Sequence, residues 1–90
     1  MKMIEVFANG YKEKAMYDTL AQFTKRVRAY GDSFTMKKLE EKGVSQLDIR
    51  EELEKGWIKY ESRIGYYGGS GYSLTSSGIK LIYSMIKHNR

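Results

Sequence analysis

The residues that most often carry out chemistry in proteins are sparse in this chain and are not arranged for catalysis. Its 90 residues contain no cysteine and a single histidine, His88, so we expect neither a thiolate site nor a metal-ligating cluster. The carboxylates of Glu51, Glu52 and Glu54 have no acid–base partner in the pattern and are interpreted as solvated helix surface. The Gly-Gly-Ser-Gly run at 68–71 lacks the Gly-Lys-Ser/Thr that completes a phosphate-binding loop. The sequence therefore predicts no enzyme, no metal and no cofactor.

Basic residues outnumber acidic ones and are concentrated toward the two ends of the chain. Lys and Arg total 16 against 11 Asp and Glu, which gives a formal net charge of +5. Residues 1–31 carry a net +3 and residues 57–90 a net +4, whereas residues 44–56 carry −2. This balance favours a polyanionic partner such as a nucleic acid. The sequence shows no membrane-spanning run and no signal-peptide pattern, so no membrane partner is expected.

The spacing of apolar residues predicts a helix from Tyr11 to about Tyr30 that ends at Gly31. Apolar positions recur at intervals of three and four residues and so form one stripe: Met16, Leu20, Phe23, Val27 and Tyr30. The preceding residues 1–10 fit either a strand or a helical extension, and their structure stays open.

Two short helices with the same capping pattern are predicted next. Thr35 caps the first helix, which ends at Gly43, and Ser45 caps the second, which ends at Gly56. The apolar positions expected to face the core from the second helix are Ile49 and Leu53. Two helices joined by so short a turn indicate a helix-turn-helix.

After Gly56 the apolar period changes from that of a helix to the alternation of a half-buried strand over residues 58–66. The glycine-rich segment 67–71 reverses the chain, and residues 72–75 return as a second strand. A last helix is predicted from Ser76 to His88, with three isoleucines on one face: Ile79, Ile82 and Ile86. The expected fold class is α+β, mainly helical, with residues 1–90 forming a single domain.

This order of three helices, a two-stranded hairpin and a C-terminal helix resembles the winged helix-turn-helix family, especially its MarR and PadR-like branches. The segment Tyr72-Ser73-Leu74-Thr75-Ser76-Ser77-Gly78 looks like the family's Y-x-L-T-x-x-G segment, and Gly56-Trp57-Ile58 resembles its passage into the wing. In this segment Leu74 would fill the core, Thr75 would cap the last helix, and Gly78 would permit close packing. The resemblance covers about residues 11–88 and implies a dimer that binds double-stranded DNA, most simply a transcriptional regulator.

By this resemblance, the helix from Ser45 to Lys55 is the recognition helix and the hairpin is the wing. Gln46 suits an adenine, Arg50 a guanine or a phosphate, and Leu47 a thymine methyl group. The remaining candidate DNA contacts are polar, basic or aromatic side chains of the two short helices and the wing: Thr35, Lys37, Lys38, Ser45, Lys59, Arg63, Tyr66, Tyr67 and Ser70. Each cation that neutralises a phosphate is expected to make binding more sensitive to salt.

The apolar side chains of the first and last helices exceed what a small helical core with one hairpin consumes. We predict that they form a two-fold interface between two copies of the chain: Met16, Leu20, Phe23, Leu81, Ile82, Met85 and Ile86. The alternative is that they pack only on one another within one chain. A homodimer would present two recognition helices to successive major grooves and would fit a roughly palindromic site.

Three other functions stay open from the sequence. A plasmid- or chromosome-partition protein with the same fold would bind a centromere and spread along DNA. It would contact a partition partner protein, whereas a regulator would contact a transcription partner protein. The acidic residues of the recognition helix favour a module that docks protein and never touches DNA. Charge and tyrosine content also fit an RNA-binding protein. DNA binding would place the chain in the cytoplasm, associated with the nucleoid.

Overall fold

The computed structural model describes residues 1–13, 19–66 and 68–88. Within these ranges five helices and three short strands follow one another along the chain: α1 (Met3–Tyr11), α2 (Leu20–Tyr30), β1 (Ser33–Thr35), α3 (Met36–Glu41), α4 (Gln46–Lys55), β2 (Ile58–Glu61), β3 (Gly71–Leu74) and α5 (Ser76–His88). The expected class, α+β and mainly helical, is confirmed. None of the helices in the described ranges is long and apolar enough to cross a bilayer.

The prediction of one helix from Tyr11 to Tyr30 is wrong in its first half, because α1 ends at Tyr11 and α2 begins at Leu20. Thr19 and Gln22 form a capping box at this start. The Thr19 hydroxyl accepts from the N–H of Gln22 at 3.2 Å, and the Gln22 side chain accepts from the N–H of Thr19 at 3.1 Å. These two bonds satisfy two of the free N–H groups at the start of a new helix. The apolar spacing of the sequence continues across Thr19, so it does not indicate that a new helix begins there.

Residues 1–10, for which the sequence allowed either a strand or a helix, form most of the amphipathic helix α1. Its apolar residues are buried against the rest of the chain: Met3, Ile4, Phe7, Ala8 and Tyr11. α1 packs against α5 and also contacts α4. Much of the apolar surface that α5 carries is therefore covered within a single chain.

The predicted caps of the three later helices are confirmed. Thr35, Ser45 and Thr75 each accept a hydrogen bond from the backbone N–H three residues ahead, at 3.1–3.2 Å. Gly56 ends α4 in the left-handed region with φ 75°, which glycine adopts without strain. Gly78 permits the expected close packing, since a Cβ there would lie 2.1 Å from the carbonyl oxygen of Trp57.

The three strands form an antiparallel sheet in the order β1-β3-β2. The sequence predicted the β2–β3 hairpin but missed β1, a three-residue strand too short to show alternation. Both hairpin strands also differ from their predicted bounds, because β2 ends at Glu61 and β3 covers Gly71–Leu74. The N–H of Met36 donates to the carbonyl of Ser70 at 3.0 Å, so the start of α3 is joined to the returning end of the hairpin.

Candidate nucleic-acid interface

Helix α4 presents two faces of different chemistry. Toward the core it directs Ile49, which is 3% exposed, and Glu52, which is fully buried. Two expectations are corrected here, because Leu53 is 39% exposed rather than inward and Glu52 is buried rather than solvated. The reason is that α4 directs the edge between Ile49 and Glu52 toward the core, and Leu53 lies on the other side of Ile49 from Glu52.

The buried carboxylate of Glu52 caps helix α1. Its two oxygens accept hydrogen bonds from the backbone N–H groups of Met3 at 3.1 Å and Ile4 at 2.9 Å. Burial raises the pKa of this carboxyl above its ordinary value, and the two N–H donors act in the opposite direction. A buried polar group without partners destabilises a fold, so these bonds explain how the core accepts a carboxylate.

Two further acidic residues of α4 are paired with the beginning of the chain. The amino group of Met1 lies 3.2 Å from Oδ2 of Asp48, and this hydrogen bond holds the pKa of Asp48 below its ordinary value. Nζ of Lys2 lies 3.4 Å from Oε2 of Glu51. Three of the four carboxylates of α4 therefore face the start of α1 and are paired there.

The opposite face of the first two turns of α4 carries polar, apolar and basic side chains. Ser45, Gln46 and Arg50 are exposed, and Leu47 is 64% exposed although it is a large aliphatic side chain. Glu54 is the one carboxylate of α4 without a partner among those named above, and it lies in the last turn. The predicted recognition residues thus share a surface on which Glu54, four residues after Arg50, is the exposed carboxylate. The other three carboxylates of α4 lie toward the start of α1.

Helix α3 contributes two exposed cations, Lys37 and Lys38. They directly follow Met36, whose N–H is bonded to Ser70 at the end of the hairpin loop. Thr35 and Ser70 are both half-buried. The Thr35 hydroxyl caps α3 by accepting from the N–H of Lys38, and the backbone carbonyl of Ser70 accepts from the N–H of Met36. Of these two predicted contact residues, Thr35 therefore has its side chain engaged in local structure.

In the hairpin, the ammonium group of Lys59 forms an ion pair with Glu61 of the same strand. Nζ of Lys59 lies 3.7 Å from Oε1 of Glu61, with both side chains substantially exposed. Glu61 also accepts a hydrogen bond from the hydroxyl of Ser73 at 2.9 Å. Lys59 is therefore a weaker candidate for phosphate contact than its type suggests.

The loop between β2 and β3 is closed by specific contacts rather than by glycine content alone. Nη2 of Arg63 donates to the carbonyl of Tyr66 at 3.0 Å, and the N–H of Ile64 donates to Gly69 at 3.0 Å. A Cβ at Gly68 would lie 1.4 Å from the carbonyl oxygen of Ile64. The loop exposes 80% of Tyr66. Tyr67, also a predicted contact, lies outside the described residues.

The residues predicted for a two-fold interface are divided by the structure. Phe23, Ile82 and Ile86 are at most 2% exposed and belong to the core of one chain, so they offer no surface to a second copy here. The half-buried members of the predicted set are Leu20, Leu81 and Met85. Met16 lies outside the described residues.

Comparison with known proteins adds no relative, since no family model, curated protein or solved structure matches the chain. Within the described ranges, no group of three or more His, Asp or Glu side chains is placed to hold a metal ion. The features that bear on function are therefore the surface of α4 and its neighbours. The residue that sequence reasoning missed is Glu52, whose partners stand 48 and 49 positions away and leave no local signal.

Proposed function

We propose that this chain is a winged helix-turn-helix protein that binds double-stranded DNA, with α4 in the major groove and the β2–β3 hairpin as the wing. The observation that carries this proposal is the division of α4 into a paired acidic face and an outward face with Gln46, Leu47 and Arg50. Unpaired carboxylates would be repelled by phosphates. Asp48 and Glu51 are paired with the start of α1, and Glu52 is buried. Glu54, in the last turn, is then the carboxylate of α4 left on the outward side.

The outward side chains suit the edges of base pairs in the major groove. The amide of Gln46 matches the donor and acceptor of adenine, and the guanidinium of Arg50 matches the two acceptors of guanine. The exposed Leu47 suits contact with a thymine methyl group. Together they support binding that prefers some sequences over others.

Cations on neighbouring elements suit the phosphates on either side of such a groove. Lys37 and Lys38 are exposed on α3, and Arg63 is exposed in the hairpin loop although one of its nitrogens is engaged with Tyr66. Contacts of this kind fix the register of a protein on DNA and carry no sequence information themselves. They also predict strong salt dependence.

We further propose that two copies act together on DNA, most simply as a transcriptional regulator. A chain of 90 residues covers a short stretch of duplex, and two-fold pairing doubles the bases that are read. Among the described members of the predicted interface, Leu20, Leu81 and Met85 reach the surface.

Docking of a protein partner on α4 is the competing function, and the exposure of Leu47 and Leu53 favours it. A binding titration with labelled random-sequence duplex at two salt concentrations separates the two. DNA binding by the outward face predicts that Arg50→Ala weakens the complex, while Lys80→Ala, which removes an exposed charge of α5, leaves it close to wild type. Absence of duplex binding at low salt would leave protein docking as the function of this surface.

A further inference from the structure

Strand β2 lies at one edge of the described sheet, with its backbone open on the side away from β3. The N–H of Thr75 donates to the carbonyl of Trp57 at 3.0 Å, and the register pairs Lys59 with Ser73 and Glu61 with Gly71. Alternate residues of an antiparallel strand bond to opposite neighbours. Trp57, Lys59 and Glu61 therefore bond toward β3, and the N–H and C=O of Tyr60 point to the free edge.

The side chains along this edge form a self-complementary pattern. Lys59 and Glu61 lie on one face of β2, 3.7 Å apart at their charged atoms. Tyr60 lies on the other face, 59% exposed, with its ring 5.8 Å from that of Tyr72. When a second, identical strand runs antiparallel with the two Tyr60 residues opposite one another, each cation therefore lies opposite an anion.

We propose that β2 pairs antiparallel with β2 of a second copy of this chain, about a two-fold axis that passes between the two Tyr60 residues. In this register each Tyr60 exchanges N–H···O=C bonds with the other, and Lys59 of each copy stands opposite Glu61 of the other. Pairs at such positions are the non-hydrogen-bonded kind, with Cα atoms about 4.5 Å apart. Both charge pairs are attractive, and the tyrosines form a cluster across the axis.

The second copy is the occupant that the charges select. Edge strands that avoid pairing often carry charged side chains, especially lysines. On this edge Lys59 is matched by Glu61 two positions away, so an antiparallel second copy brings opposite charges together. A ribbon of four residues buries less than the roughly 1,000 Å² of a stable interface, so pairing is weak in dilute solution. Resting on the proposed function, several copies bound close together on DNA would have a high effective concentration. This would favour pairing between copies that do not share the interface of Leu20, Leu81 and Met85.

The direct test measures self-association of the full chain without DNA, by sedimentation equilibrium up to millimolar concentration. Lys59→Glu and Glu61→Lys each place like charges opposite one another twice, and each is expected to weaken association about tenfold or more. The double variant K59E/E61K restores opposite charges and is expected to recover association near wild type. Lys80→Glu makes the same charge change on α5 and is expected to have little effect.

A second pair of variants tests the backbone bonds while leaving the charges in place. Tyr60→Pro removes the outward N–H, which makes no bond to β3, whereas Tyr60→Val keeps it in a strand-compatible residue. We expect Y60P to associate more weakly than Y60V. A monomeric wild type at all concentrations, a double variant no better than K59E, or equal association of Y60P and Y60V would each overturn the pairing. Duplex binding of the wild type at low protein concentration, measured separately, tests the proposed function whichever result is found.

Discussion

Glu52 and Ile4 stand 48 residues apart in the sequence, and Oε1 of Glu52 accepts a hydrogen bond from the N–H of Ile4 at 2.9 Å. The other carboxylate oxygen accepts from the N–H of Met3 at 3.1 Å. Helix α1 has no capping hydrogen bond from the side chain of its own N-cap residue, Lys2. A side chain from the inward face of α4 therefore caps α1. This contact joins α1 to α4, the helix proposed to read DNA.

Removal of this carboxylate should destabilise the fold strongly. Glu52→Ala leaves two buried N–H groups without partners and a cavity beside them, so we expect a loss of about 2–4 kcal/mol in the free energy of unfolding. Urea denaturation measures it. Glu54→Ala, on the exposed side of the same helix, is the control and is expected to change stability by about 0.5 kcal/mol or less. Equal effects of the two variants would contradict the role of Glu52.

The buried carboxyl also predicts a direction of pH dependence. Burial raises the pKa of Glu52 above its ordinary value of 4.5, so the folded state binds the proton more tightly than the unfolded state. The resulting stabilisation is present below the unfolded pKa and is lost as pH rises through the raised folded pKa. The groups facing Glu52 are Asp48, which raises this pKa, and Lys2, which lowers it.

The measurement compares wild type with Glu52→Gln, in which position 52 does not titrate. Relative to this variant, the free energy of unfolding of the wild type is expected to fall as the pH increases from about 4 toward neutral. Asp48 is present in both proteins, so most of its own titration cancels in the difference. A difference that stays constant or increases with pH would show that burial does not dominate at Glu52.

Two glycine substitutions are expected to have opposite effects. At Gly78 a Cβ would lie 2.1 Å from the carbonyl oxygen of Trp57, so Gly78→Ala should cost about 1–3 kcal/mol despite the better helix propensity of alanine. At Gly10, within α1, no other described residue places an atom within 4 Å of an added Cβ, apart from its chain neighbours and the backbone of its own helix. Gly10→Ala should therefore stabilise by about 0.5–1 kcal/mol. Thermal denaturation of both variants measures the pair. Destabilisation by G10A as large as that by G78A would contradict the packing described for the two sites.

The proposed DNA surface predicts two classes of binding variant. Gln46→Ala and Arg50→Ala should reduce the preference for a selected site over random duplex, by about 1–3 kcal/mol for a lost bidentate contact. Lys38→Ala should weaken binding to all duplexes alike and lower the log–log salt slope by about 0.9. Titrations of both duplexes at several salt concentrations measure these effects. Equal losses on both duplexes for all three variants would remove the distinction between base and phosphate contacts.

Local rules predicted the parts of this fold that depend on a few neighbouring residues. The caps at Thr35, Ser45 and Thr75 and the left-handed glycine at Gly56 follow from backbone groups three or four residues away. The last helix is confirmed at the predicted bounds Ser76 to His88. In each case the residue that specifies the structure lies beside the structure it specifies.

The rest depended on contacts that the sequence does not display. The start of α2 at Leu20 depends on a capping box that leaves the apolar pattern of the sequence uninterrupted. Strand β1 depends on pairing with β3, in which Phe34 lies opposite Tyr72. The burial of Glu52 and the exposure of Leu53 depend on α1, which packs against α4 from the far end of the chain. Candidate DNA residues on α4 could be chosen from the sequence, but the pairing of the acidic face could not.

The most direct measurement is the affinity of the purified chain for random-sequence duplex DNA at about 50 and about 200 mM salt, where phosphate contacts make binding strongly salt-dependent. We predict binding at the lower concentration, a marked loss at the higher one, and a further loss on Arg50→Ala at both. A chain that leaves duplex DNA unbound at about 50 mM salt, or binds it equally at both concentrations, would contradict the assignment of the outward face of α4 to DNA.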